Sequence, residues 1–526
     1  MNQENLIKKD WRNIDFSFGL VYPNLYKIGM SSYALRLLYY TINSYENIAC
    51  ERIFLPEKVK YPAHLHSLDK IRSIENRVLL EDFDILGFSV QFENDFKNIL
   101  WILENSSIPI TSQNRQQTKI EKGKNYPLII AGGPVVTSNP LPFSNFFDLF
   151  FIGDSEPNLG EFLDLFNTYN RKEINFQDLL KETSKINGIF VPSEKNIVKR
   201  SIQKDLNLAP IPDFQLISKP NDNSSVFERN YFVEINRGCP FQCKFCISSY
   251  HNLPFRNRSF DNIINWIKDG IRKNDFETIS LIGSCVSAHP RFRDICKFII
   301  NYGKKFTIPS IRIDHLTSRI LRILERGKIK TITIAPESGS ERLRFELGKI
   351  IKNEKIYSVL KEIKDSKIKN VKLYLIVGLP GENNEDVKET INLMKNIIEI
   401  GFDKGALRLS VNPLIPKLNT PYQNKIDFLL KENIGKLKSI YQKLEKELKQ
   451  YPPIKFKFKK ISNIIKSARL QALISLGDLN TSFLLTNYYL YGANFGAIRK
   501  AEKLSRYDID DYFEKIKDGY TPWKLN

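Results

Sequence analysis

The chain has 526 residues, 42% of them hydrophobic, enough for two or three domains with cores of their own. Lys and Arg number 79 against 59 Asp and Glu. This net +20 either favours anionic partners (RNA, nucleotides, a membrane surface) or reflects lysines spread over solvated helix faces. No apolar run reaches the roughly eighteen residues of a membrane span, and Met1–Arg12 is too polar for a secretory leader, so the expected location is the cytoplasm.

Residues 1–200 read as short apolar strands alternating with helices. Strands are expected at 16–22, 50–55, 84–90, 127–131 and 147–152, with a helix capped by Ser31 and others over 93–104 and 156–170. That alternation predicts a doubly wound, Rossmann-like parallel sheet, whose ligands bind beyond the carboxyl ends of the strands. Ser89, Gly132, Gly133, Gly153 and Asp154 stand at those ends. The glycines either admit a bulky ligand close to the backbone or only turn the chain. Residues 201–228, with Pro210, Pro212, Pro220 and a polar run from Asn221 to Ser225, read as a linker.

From 229 to 422 six strands are expected, at 231–236, 278–283, 310–313, 331–335, 372–377 and 407–411. Helices are expected between them, at 260–273, 291–302, 318–326, 353–363 and 384–400. Repeated β-α units of this length predict a parallel sheet curled into a partial, TIM-like (β/α)6 barrel, with its chemistry at the carboxyl ends of the strands. The first strand runs into Gly238-Cys239-Pro240-Phe241-Gln242-Cys243-Lys244-Phe245-Cys246. Cys239, Cys243 and Cys246 are half of the six cysteines, the others being Cys50, Cys285 and Cys296. Such clustering suggests metal binding in a reducing compartment rather than a disulfide framework. Three thiolates suit three irons of a four-iron, four-sulfur cluster and leave the fourth iron open. A closed zinc site would need a fourth ligand, often from a second cysteine pair, and the sequence has no such pair.

Residues 423–526 read as mostly helical, with a charged amphipathic helix over 424–450, a short strand at 456–459, and helices at 461–476, 481–489, 497–504 and 509–517. Lys455, Lys457, Lys459, Lys460 and Lys466 surround Phe456 and Phe458. That pattern is either an RNA-facing strand, with charge and stacking surfaces, or a strand with aromatics inward and lysines in water.

The C-x3-C-x2-C loop, with an aromatic before its last cysteine, resembles the signature of the radical S-adenosylmethionine (SAM) superfamily. The resemblance implies that the open iron binds SAM, that an electron supplied by a flavodoxin- or ferredoxin-type donor cleaves it, and that a 5'-deoxyadenosyl radical results. It further implies that Phe245 shields the cluster and offers backbone to adenine, and that Gly283 and Ser284 stand where the methionine amino group is contacted. A Gly-Gly-Glu-like turn is usual there; this chain has Gly283-Ser284-Cys285 and lacks the acid. Cys285 then reads as a structural or substrate-facing thiol. Arg312 meets either the SAM carboxylate or Asp314, Glu337 takes the ribose hydroxyls, and Gly378 lies under the adenine. Lys417 either reaches an anionic substrate group or stays in water. The first 200 residues resemble the cobalamin-binding-type domain that precedes many such cores, but no histidine stands in the Asp-x-His-x-x-Gly pattern. Either cobalamin binds without a histidine ligand or the fold persists without it. The core also resembles methylthiotransferases, which need a second cluster held by N-terminal cysteines; here that region has only Cys50. The implied function is a radical SAM enzyme of unknown substrate, with cobalamin-dependent methyl transfer and RNA modification as open alternatives beside a non-catalytic iron–sulfur carrier.

Overall fold

A computed structural model describes residues 5–66, 69–217, 229–456 and 460–525. The first sheet is built from β1 (Phe16–Leu25), β2 (Ile48–Leu55), β3 (Ile85–Ser89), β4 (Leu128–Gly132), β5 (Leu149–Phe151) and β6 (Ile189–Phe190). Its order is β2-β1-β3-β4-β5-β6, parallel except for the last pair. β2 and β3 are buried along their whole length, as expected of strands covered on both faces. The helix Phe96–Asn105 covers one face with Ile99, Leu100 and Leu103. Helices Tyr33–Asn43 and Leu159–Asn170 cover the other with Tyr39, Phe162 and Phe166. The first of these helices is capped by Ser32, whose hydroxyl accepts from Leu35 N, one residue later than the Ser31 expected.

The second body is the curled sheet. β7 (Asn230–Glu234) is followed by a two-residue hairpin, β8 (Asn236–Arg237) with β9 (Arg256–Asn257). β10 (Thr278–Ile282) and β11 (Lys305–Thr307) complete a parallel trio with β7. β12 (Thr331–Glu337), β13 (Asn370–Val377), β14 (Leu407–Pro413) and β15 (Ile454–Phe456) form a parallel quartet. Ile311 N donates to Thr333 O at 3.0 Å and joins the two sets across the curl. On β13, Val371, Leu373, Leu375 and Val377 are buried in the main core, while Lys372, Tyr374 and Ile376 are half-buried on the other side.

Three expectations are corrected here. The third core strand is Lys305–Thr307 rather than 310–313. Pro309 brings no N–H to a ladder, and Arg312 therefore lies on the loop beyond the strand. The strand expected over 456–459 is Ile454–Phe456, the edge partner of β14; Lys457, Phe458 and Lys459 lie outside the described residues, as do Pro220 and the polar run after it. The helix expected over 424–450 starts at Ile434, after two single-turn 3-10 segments.

The C-terminal helices brace both bodies. Tyr489 OH donates to Glu104 Oε2 at 2.6 Å, and Asn139 Nδ2 donates to Gly477 O at 2.8 Å. Lys417 pairs with Glu93 and donates to Ser475 Oγ at 2.9 Å, so it is neither solvated nor free for substrate. Trp523 packs against Phe190 with ring centroids 5.0 Å apart and the rings tilted by 60°. No helix among the described residues is long and apolar enough to cross a membrane.

Candidate active site

The cysteine loop hangs from the β8–β9 stem at the carboxyl end of β7. Gly238 enters it at φ 80°, and a Cβ there would press on the backbone of Asn252 and Pro254. Within the loop Ser249 Oγ donates to Phe241 O (2.5 Å), Tyr250 OH to Gln242 O (3.1 Å) and Cys246 N to Cys243 O (3.0 Å). From outside, Lys244 N donates to Leu347 O at 3.0 Å and Lys244 O accepts from Tyr422 N at 3.2 Å. The loop is thus fixed largely by backbone hydrogen bonds rather than by its cysteine side chains. Cys243 is buried, and Cys239 and Cys246 are partly so.

No three His, Cys, Asp or Glu side chains among the described residues converge as ligands of a single metal ion would. A lone zinc needs its sulfurs about 2.3 Å from one centre. Thiols spread along one loop fit the separate irons of a cluster instead, and three of them leave one iron without a protein ligand. Burial pushes the Cys243 thiol up, while Lys349 and Arg312 oppose that shift; the same two cations would offset the charge of an anionic cluster. Cys285 hydrogen-bonds Cys239, which pushes the Cys239 thiol up and, with Ser287, pulls Cys285 down to about 7. Cys285 therefore stands beside the cysteine loop, as expected from its number.

At the ends of β12, β13 and β14 lies a cavity of about 320 Å³, lined by Phe245, Glu337, Tyr374, Ile376 and Asn412 among others. Phe245 and Glu337 are thereby brought together. Glu337 is 6% exposed and holds φ 69°, a conformation rare for a residue with a side chain. It ends β12 where the ladder to β13 slips register. Lys349 Nζ donates to Glu337 Oε1 (2.5 Å) and Ala335 O (2.8 Å). Burial raises the Glu337 carboxyl and Lys349 counters it.

The remaining expected residues divide. Arg312 lies over the Phe241 ring at 3.7 Å and pairs with Asp314 at 2.8 Å, the ion-pair alternative. Gly283 leaves no room for a Cβ beside the Asn236 amide, whose Nδ2 donates to Cys285 O at 2.9 Å. Gly378, at φ 74°, is backed by Phe428 and Leu437 and does not line the cavity; its N–H donates to Glu382 Oε2 at 2.6 Å.

In the first sheet, a cavity of about 250 Å³ sits over the strand ends and includes Ser89, Gly132, Gly133, Gly153 and Asp154 in its wall. A second, of about 410 Å³, shares Gly133, Gly153, Asp154 and Arg237 with it and reaches His251, Gly283 and Ser284 of the core. The two glycines have reasons of their own. A Cβ on Gly133 (φ 111°) would come 2.6 Å from Val90 O, and one on Gly153 (φ 101°) would strike Ser201. Asp154 pairs with Arg237 (2.9 Å) and Arg256 (2.7 Å). Burial would raise its carboxyl, but the two arginines outweigh burial and hold it below its ordinary value. Arg237 also pairs with Glu156 and Glu234, each at 2.9 Å, and so ties the first sheet to the cysteine-loop stem.

Sequence reasoning missed Lys349, Asn236, Arg237 and His251. Arg237 and Asn236 flank the cysteine motif, and that adjacency was the available signal. Lys349 and His251 carry no local signal. His251 is 3% exposed, its Nε2 faces Leu418 O at 2.8 Å, and its Nδ1 has no hydrogen-bond partner among the described residues.

Comparison with known proteins agrees with this geometry. Residues 34–192 match a family model described as the N-terminal region of radical SAM proteins, and residues 233–394 match that of the radical SAM superfamily. An uncharacterised protein of Methanocaldococcus jannaschii is 28% identical over 501 residues, covering 95% of this chain and 96% of its own. The ribosomal protein uS12 methylthiotransferase RimO of Thermotoga maritima is 24% identical over 241 residues, 44% of this chain and 55% of its own, so the chain spans about half the length of that relative. Among solved structures, cobalamin-dependent OxsB with aqua-cobalamin bound superposes with TM-score 0.56 at 14% identity, over 95% of this chain and 78% of its own. The methyltransferase TsrM from Kitasatospora setae, with cobalamin and a [4Fe-4S] cluster, gives 0.51 at 12%, over 78% and 77%. At such identities these two likenesses speak for the fold alone.

Proposed function

This chain belongs to the radical SAM superfamily and is an enzyme, and from that premise we propose that it is one whose N-terminal cavity carries a corrinoid facing the SAM site. When bound, the cluster and SAM supply a 5'-deoxyadenosyl radical, and a corrinoid would supply methyl transfer.

In this reading Cys239, Cys243 and Cys246 hold three irons. Lys349 and Arg312 stand by with positive charge. Phe245 forms one wall of the nucleoside cavity, and Glu337 accepts hydrogen bonds from a ribose, its φ and its Lys349 pair fixing where the carboxylate sits. Tyr374, Ile376 and Leu414 give this cavity an apolar wall beside Glu337. One observation carries the corrinoid part: the cavity over the first sheet shares its walls at Gly133, Asp154 and Arg237 with a second cavity that reaches Gly283 and Ser284 beside Cys285. A large planar ligand lying there would meet both halves of the protein. The absence of a histidine in the usual pattern does not oppose it if cobalt needs no protein ligand.

Methylthiotransfer is disfavoured. Cys50 is 1% exposed within β2, and no other cysteine precedes Cys239, so the first 200 residues offer no second cluster. An RNA substrate remains the second reading, favoured by the net +20 and by the RNA-directed relative of Clostridium botulinum, a tRNA-2-methylthio-N(6)-dimethylallyladenosine synthase 26% identical over 240 residues, 43% of this chain and 52% of its own. Anaerobic purification with hydroxocobalamin supplied tests the corrinoid reading. An equimolar corrinoid retained through gel filtration is expected; a corrinoid-free protein with its cluster intact overturns it.

A further inference from the structure

Behind Cys239 runs a chain of hydrogen-bonding side chains built on three neighbouring strand ends. β7, β10 and β11 stand side by side in the curled sheet, in the order β11-β10-β7. Cys239 follows β7 and β8, Cys285 and Ser287 follow β10, and His315 closes the single-turn segment Ile313–His315 after β11. The Cys239 and Cys285 side chains are hydrogen-bonded to each other. Cys285 Sγ lies 3.7 Å from Ser287 Oγ, and Ser287 Oγ lies 2.8 Å from His315 Nδ1. None of Cys285, Ser287 and His315 lines the cavities described above.

The scaffold holds each member in place. Cys285 is 6% exposed, and its carbonyl accepts from Asn236 Nδ2 at 2.9 Å and from Ala288 N at 3.0 Å. His315 packs against Phe241 of the cysteine loop, with ring centroids 5.4 Å apart. Elementary chemistry then sets the direction of the hydrogens. A cysteine on iron is a thiolate, and a thiolate only accepts. With Cys239 on iron, Cys285 therefore donates its S–H to the Cys239 sulfur. The Cys285 sulfur in turn accepts from the Ser287 hydroxyl, and the Ser287 oxygen accepts from the Nδ1–H tautomer of His315. Every hydrogen in the chain points toward Cys239.

We propose that Cys285 is a positioning residue that donates a hydrogen bond to the cluster ligand Cys239, is oriented for it by Ser287 and His315, and thereby raises the reduction potential of the cluster. The inference rests on the cysteine loop holding a four-iron cluster. Hydrogen bonds to the sulfurs are among the levers that set such potentials, because they offset the negative charge of the added electron. The reductant loses one electron and the cluster gains it; the Cys285 proton stays on its own sulfur. A thiol engaged in this way also leaves the fourth iron open.

The test is a redox titration followed by electron paramagnetic resonance, on the reconstituted full chain without SAM. Wild type is compared with Cys285→Ala, Cys285→Ser and Ser287→Ala, and iron is measured in each. Cys285→Ala is expected to keep its full iron and to lower the midpoint by about 59 mV or more, a tenfold change in the one-electron equilibrium. Cys285→Ser restores a donor and should fall between it and wild type. Ser287→Ala should lower the midpoint less than Cys285→Ala. A wild-type midpoint in Cys285→Ala with its iron complete overturns the proposal. So does a Cys285→Ala variant that folds but loses iron, since the thiol would then be a ligand. Should Cys285→Ala fail to fold, Ser287→Ala decides, and an unmoved midpoint there overturns the proposal. A wild type that takes up no four-iron cluster sinks the cluster reading and this inference together; a normal cluster whose midpoint ignores every substitution sinks this inference alone.

Discussion

The two parallel sheets of this protein both end in glycine-rich turns, yet they use those ends differently. Over the first sheet, Gly133 and Gly153 exist because chain crosses chain, at Val90 and Ser201, and Asp154 is fully engaged by Arg237 and Arg256. In the core, the loop after β7 is held by backbone hydrogen bonds of its own and from Leu347 and Tyr422, and its three cysteines stand on one loop with Cys285 beside Cys239. The first end is a wall whose residues are needed to build it; the second is a loop, fixed largely by its backbone, that carries three thiols. The lesson is that a glycine at a strand end can be required by the packing of the wall it belongs to, so that its presence alone does not show a ligand contact.

The contrast breaks most visibly at the cysteines. Cys239→Ala, Cys243→Ala or Cys246→Ala should each strip most of the iron and bring 5'-deoxyadenosine to background, read by iron analysis and product chromatography, with little change in far-ultraviolet circular dichroism. At the wall between the sheets, Arg237→Ala leaves Asp154, Glu156 and Glu234 facing one another without their shared cation. A loss of about 3–5 kcal/mol by denaturant unfolding is expected.

His251 gives a pH signature from the same junction. Burial lowers its pKa from 6.5 to about 4, so the folded state holds it neutral while the unfolded chain takes up a proton below pH 6.5. Its contribution is whole above pH 6.5 and is lost as pH falls toward 4, a span of roughly 3 kcal/mol. In His251→Phe the stability curve should flatten across that window. Smaller effects separate wall from site among the glycines. Gly133→Ala should cost about 1–3 kcal/mol through its φ and the Val90 contact. Gly132→Ala, whose nearest neighbour would be Phe151 Cβ at 3.6 Å, should leave stability within about 0.5 kcal/mol and report only on corrinoid retention.

Much of the fold was legible because its signals are local. Helices Phe260–Lys273, Ser318–Arg326, Ile461–Leu476 and Ile509–Lys517 have the bounds that apolar spacing and caps predict. The third core strand was misplaced because Lys305–Thr307 is three residues long and begins with a lysine, whereas Ser310–Ile313 merely reads as extended. The cysteine loop was legible for the same local reason. The pairing of Glu337 with Lys349 was not, since a lysine twelve residues on, past a helix and a turn, announces no partner. Nor was the bond from Arg237 to Glu156, made across 81 residues. Arg312 shows the opposite case, its partner Asp314 standing two residues away in plain view.

One measurement bears most directly on the claim that three thiols leave a metal corner open for SAM. Anaerobically reconstituted protein would be reduced with dithionite in the presence of SAM, followed by Mössbauer spectroscopy and product analysis. The account predicts a four-iron cluster with one iron whose signal changes on adding SAM, together with 5'-deoxyadenosine. A cluster whose four irons stay equivalent with SAM present, and no nucleoside released, would contradict it.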